Sequence, residues 1–169
     1  MKQSPEWNSD ALLQSPLFDP LHPILAELEA NDFPSLQDCN ALLSASHTPI
    51  IVQSGMPLRF VAHQRGKLPF EAQYEPRCYL KGEVQMRVDN WHDLFNALVW
   101  LTFPKSKAAI NARHFQALME KRQALMEKRQ ALTELAVLPE TSSERGAVRD
   151  TNTLLDESGV IVAYADAEL

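Results

Sequence analysis

The chain contains no uninterrupted apolar run near the roughly 18 residues that a membrane span needs. Its start, MKQSPEWNSD, has no hydrophobic segment behind Lys2 and therefore does not read as a secretory signal. Cysteine is scarce: Cys39 and Cys78 stand alone, without CxxC or Cys/His ligand spacing around either. That pattern speaks against a cysteine-based zinc centre, and two thiols behind no signal are expected to be reduced. Proline all but disappears after Pro76, with only Pro104 and Pro139 beyond it. The reading is a soluble cytoplasmic protein, here taken as a single domain of 169 residues with no membrane contact.

The net charge of -6 hides an uneven layout. Between Lys105 and Arg129, seven basic residues face only Glu120 and Glu127, whereas the stretch from Glu134 onward carries eight acids against Arg145 and Arg149. An acidic chain is a poor nonspecific nucleic-acid binder, because counterion release rewards dense positive charge. The basic stretch nonetheless makes a protein partner conceivable through residues 105–136.

The Pro-rich part, residues 1–34, includes SPLFDPLHP, where each ring fixes φ and removes a donor, so neither regular helix nor central strand is expected. A short helix is expected at Ile24–Ala30. Ser35 reads as the N-cap of LQDCNALLSA, and PIIVQSGMPLRFVA as a β-hairpin turning at Ser54–Gly55. FEAQYEPRCYLKG reads as a helix stopped at Gly82, with Pro76 in its first turn, and GEVQMRV as a short extended link.

The link leads into NWHDLFNALVWLTFP, residues 90–104, the densest stretch of the chain. Asn90 is a good N-cap, and Asp93 stands where an acid favours the positive end of a helix. Trp91, Leu94, Leu98 and Leu101 are expected to pack. Pro104 closes this helix, and residues 105–136, free of Gly and Pro, read as one helix of roughly 48 Å. That helix holds a perfect tandem, QALMEKR at 116–122 and 123–129. Seven residues make nearly two turns, so the duplication lengthens the rod while keeping its faces in register.

A reversal at Pro104 would make residues 90–138 a helical hairpin. Asn96 and His92 would then lie about 12 and 18 Å from the turn, and Asn111 and His114 about 10 and 14 Å. Those levels match, so His92, Asp93, Asn96 and Asn111 are candidate catalytic residues. His92, Asp93 and His114 are candidate ligands for a divalent metal, which would acidify a bound water for hydrolysis. Without metal, a histidine bonded to a carboxylate is a general-base pair. The same residues can equally serve as caps and buried hydrogen-bond partners holding helix to helix. TNTLLDESGVIVAY reads as a second hairpin within residues 150–165, and the end at YADAEL suggests a truncated C-terminus. The expected class is α+β and helix-dominated, a long αα-hairpin with shorter helices and two small β-hairpins.

YEPRCYLKGEVQMRVDNWHDLFNALVWLTFPKSKAAINARH, residues 74–114, together with AVRDTNTLLDESGVIVA, resembles the DUF3025 family of uncharacterised bacterial proteins. FPSLQDCNAL and PLRFVAHQ share the resemblance, which implies no particular activity. His92, Phe103-Pro104, Asn111 and His114 also resemble small HNH endonucleases. That second resemblance implies His92 as general base, Asn111 as its orienter and His114 as a metal ligand. The departure is that His92 opens a helix instead of ending a strand of a ββα hairpin.

Overall fold

A computed structural model describes residues 6–29 and 31–134. The chain divides into two compact units, residues 1–112 and 113–169. The second hairpin expected at 150–165 lies outside the described residues.

In the first unit, Asn8 caps α1 (Ser9–Leu13) by accepting from the Ala11 amide at 3.0 Å. The proline-rich stretch becomes a tight helical turn, Pro16–Leu21, followed by the four-residue α2 (His22–Leu25). The expected helix at Ile24–Ala30 thus starts earlier and stops after one turn. α3 (Leu36–Ala45) begins at a reciprocal cap, in which Ser35 Oγ accepts from the Asp38 amide and Asp38 accepts from the Ser35 amide at 2.8 Å. α4 (Tyr74–Lys81) keeps Pro76 in its first turn, where its missing N–H costs nothing, and stops at Gly82 in the left-handed conformation, φ +68°.

The expected first hairpin is short, and the strand beyond it pairs elsewhere. A tight turn does form, with Ile51 bridged to Pro57 and the Leu58 amide donating to Ile50 O at 2.8 Å. The strand that follows, β1 (Arg59–Ala62), pairs instead in parallel with β2 (Glu83–Met86), Arg59 opposite Glu83. The central part of GEVQMRV, Glu83–Met86, is therefore a buried strand, and α4 lies in its crossover, because parallel neighbours require a connection of a dozen or more residues. All four residues of β2 are buried.

α5 (Trp91–Thr102) packs against α3, β2, α2 and the Pro16–Leu21 turn. Leu94, Ala97, Leu98 and Trp100 are buried, while Trp91, Phe95 and Leu101 lie half-buried against the same core. The Trp91 and Phe95 rings stack at 5.6 Å and hold the N-terminal segment in place. Trp7 and Phe33 meet Trp91 at 5.4 and 5.2 Å, and Phe18 stacks on Phe95 at 5.6 Å. Only Phe103 separates α5 from α6 (Pro104–Glu134), whose 31 residues run without a break, as the absence of Gly and Pro after Pro104 predicts. The architecture is helix-dominated α+β. No described helix is long and apolar enough to cross a membrane.

In the second unit α6 continues as a helix through the tandem repeat, and Met119, Leu125 and Met126 are exposed along it.

Candidate functional site

The N-terminus of α5 is organised by a single carboxylate. Asn90 caps the helix, its Oδ1 accepting from the Asp93 amide at 3.0 Å. The Asp93 side chain turns back to Arg87, at the start of the β2–α5 connection. Asp93 Oδ2 accepts from the Arg87 amide at 2.8 Å and from Arg87 Nε at 2.7 Å, and Oδ1 accepts from Arg87 Nη2 at 2.7 Å. The fourth acceptor position, on Oδ1, faces His92 Nδ1 at 3.0 Å. A carboxylate offers about four lone-pair directions, and all four of Asp93's are used. The chain manages this return at Asp89, which takes φ +52°, a left-handed conformation that Asp tolerates better than most residues.

Burial pushes the Asp93 carboxyl up, but the Arg87 side chain, then His92, then the Arg87 amide pull it further down, to about 2. Asp93 is therefore ionised and acceptor-only at neutral pH. It follows that His92 Nδ1 carries a hydrogen and donates it, which leaves the lone pair of the neutral ring on Nε2. The His92 side chain is 65% exposed, against 10% for that of Asp93.

The two asparagines go elsewhere. Asn96 Nδ2 donates to the Tyr74 hydroxyl at 2.6 Å, and Asn111 Nδ2 donates to Glu75 O at 3.1 Å and Glu75 Oε2 at 2.7 Å. Tyr74 and Glu75 are neighbours in the first turn of α4. Both asparagines thus bond to the first turn of α4. Asn111 spends both amide hydrogens on Glu75, and its Oδ1 is buried without a hydrogen-bond partner among the described residues. One turn earlier, Lys107 is buried with its ammonium 5.8 Å from the centre of the Trp100 ring, a cation–π contact across the α5–α6 junction.

His92 and Asp93 are brought together as expected. His114 belongs to the second unit and is buried. Among the described residues, no three His, Cys, Asp or Glu side chains gather in a way that could hold a metal ion. Sequence reasoning missed Arg87, Tyr74, Glu75 and Lys107. Lys107 carried a signal, since it lies four residues before Asn111 on one helical face. Arg87 carried none, because its bond to Asp93 depends on the loop conformation at Asp89.

A model of the family described as "Protein of unknown function (DUF3025)" matches residues 58–169, about two thirds of the chain. The chain belongs to the DUF3025 family. No curated protein and no solved structure matches it. The matched region holds β1, α4, β2, α5 and α6, and so every residue of the clusters above. Trp7, Phe18 and Phe33, which cover the aromatic face of α5, lie before it.

Proposed function

We propose that in this DUF3025 protein the NWHD…NARH motif is the rigid frame of a binding surface and not the centre of a metal-dependent hydrolase. The observation that carries this reading is the saturation of Asp93. A carboxylate that accepts three bonds from Arg87 and one from His92 has no lone pair left for a metal. Asn96 and Asn111 are committed in the same way to α4, so three of the motif's polar side chains lock elements together. Polar side chains that bond between elements in this way help specify one arrangement of a core. The reduced, buried thiols of Cys39 and Cys78 support a place in the cytoplasm.

The test is metal analysis of protein prepared without chelators, followed by His92→Ala and His114→Ala. The expected result is no stoichiometric divalent metal in any of the three preparations. One equivalent of metal, lost in either variant, would restore the hydrolase with His92, Asp93 and His114 as ligands.

A second reading is favoured by the tautomer of His92. A largely exposed imidazole, oriented through Nδ1 by an ionised carboxylate, is a metal-free acid–base pair. Under this reading, hydrolysis of activated esters is lost in His92→Ala at unchanged thermal stability. Equal turnover in the variant excludes it. The apolar side chains exposed on α6 support a third reading, a docking helix for a protein partner. Light scattering that reports a strict monomer, with no partner retained on purification, counts against that reading.

A further inference from the structure

A second polar cluster lies apart from the α5 motif, where the two strands begin. Arg59 opens β1 and Glu83 opens β2, and the parallel register sets them side by side. Arg59 Nη2 donates to Glu83 Oε1, and Arg77 Nε, from α4, donates to Glu83 Oε2. The Glu83 side chain is 8% exposed and that of Arg77 13%, whereas that of Arg59 is 63% exposed. Phe60, Cys78 and Val84, neighbours of these residues in sequence, are all buried.

Charge does not balance here. Burial raises the Glu83 carboxyl, but bonds from Arg77 and Arg59 lower it further, so it is ionised at neutral pH. Two guanidiniums share that one carboxylate, and among the described residues no other acid is ion-paired with either. One positive charge is left over, carried by the mostly exposed Arg59 beside the buried Arg77–Glu83 pair. Independently, Arg77 Nη1 is buried and makes no hydrogen bond among the described residues. Its Nε edge is committed to Glu83, and Nη1 belongs to the rest of the planar fork. Buried donors of this kind are normally satisfied, the more so on a charged group. Excess positive charge and an unused guanidinium donor call for the same chemistry, a negatively charged acceptor.

We propose that Arg77 and Arg59 bind a small oxyanion, a carboxylate or a phosphate group, at the paired starts of β1 and β2. Arg77 Nη1 is the inner donor, fixed in direction by the grip of Glu83 on Nε. Arg59, with most of its side chain in solvent, is the outer arm that swings to admit the anion and closes over it. Glu83 is a positioning residue that keeps both guanidiniums in place without cancelling their combined charge. Oxyanions fit because the guanidinium fork matches the spacing of two oxygens on one centre. The site lies inside the region matched by the family and does not depend on the role assigned to His92 and Asp93.

The experiment follows the arginine Nε–H resonances of the ¹⁵N-labelled full chain by NMR. Inorganic phosphate or acetate is titrated at constant ionic strength, with chloride as the background anion. The expected result is a saturable shift of the Arg77 resonance, half-complete at about 1 mM or below for one of the two anions. The responding anion then tells a phosphate ligand from a carboxylate. Arg59→Gln removes the excess charge from a mostly exposed position, and is expected to fold normally and bind about tenfold more weakly. Glu83→Gln leaves both guanidiniums uncompensated and, where it folds, is expected to bind about tenfold more tightly. No saturable shift with either anion overturns the proposal. So does an Arg59→Gln titration superimposable on that of the unsubstituted chain.

Discussion

Replacing Asp93 by Asn tests the central structural assignment, because the change is nearly isosteric and removes only charge and acceptors. The carboxylate accepts four bonds, at 2.8, 2.7, 2.7 and 3.0 Å, three of them from Arg87. An amide keeps one oxygen and turns its NH₂ toward a guanidinium that can only donate. At least one charge-assisted bond is lost, worth about 1.5–3 kcal/mol. Because Arg87 is 50% exposed and its released donors find water, a loss of about 2 kcal/mol is expected. The pH dependence carries its own signature. The Asp93 carboxyl is held down from its ordinary 3.8 to about 2, so its contribution is fully present above pH 3.8 and lost as pH falls through 2. Taken at face value that shift corresponds to about 2.4 kcal/mol, and solvent screening on the Arg87 side reduces it to about 1–2 kcal/mol. About half of it is gone by pH 3. Urea denaturation followed by tryptophan fluorescence at pH 7 and pH 3 should show a clear gap between the two proteins that roughly halves in acid. A gap below about 0.5 kcal/mol at pH 7, or one that does not narrow at pH 3, would refute the assignment of Asp93 as the anchor.

Gly82→Ala should cost well over the roughly 1 kcal/mol of a left-handed alanine, because its Cβ would stand 2.1 Å from Pro57 O, at the point where Gly82 O pairs with the Arg59 amide. Gly55→Ala is the control, with a similar positive φ but open space around the added carbon, and equal losses in the two variants would undo this account of the strand pairing. Trp7→Ala should destabilise by about 3 kcal/mol, since the ring is 5% exposed, packs on Phe33 and Trp91, and bonds through Nε1 to Glu29 O at 2.9 Å. A loss under about 1 kcal/mol would mean that the N-terminal segment is not held by its aromatic contacts. Deleting one QALMEKR should leave the melting temperature within about 2 °C, because nearly two full helical turns are removed from a largely exposed stretch and the faces beyond stay in register. A soluble deletion protein without a cooperative transition would show that the repeat is part of the core.

The sequence alone determined the features that depend on residues three or four apart. The Ser35–Asp38 reciprocal cap, the Asn90 cap on the Asp93 amide, the Pro76 start and Gly82 stop of α4, and the unbroken α6 all follow from local geometry, and each was legible. So was the pairing of His92 with Asp93, adjacent at a helix start. The partners across the fold were not. Asn96 meets Tyr74 22 positions away and Asn111 meets Glu75 36 positions away, and nothing in helical spacing says which of several polar neighbours a buried amide will choose. The strand pairing failed for the same reason. The turn at Ser54–Gly55 favoured a local hairpin, yet β1 gains more by pairing with the fully buried β2, once α4 has carried the chain back alongside it. Tertiary structure also decided the electrostatics. Asp93 is an anchor because the left-handed turn at Asp89 delivers Arg87 to it, and Arg77 keeps an unused donor because Glu83 must serve two arginines at once. Charge and hydrogen-bond saturation are properties of groups gathered from distant positions, and only the folded chain gathers them.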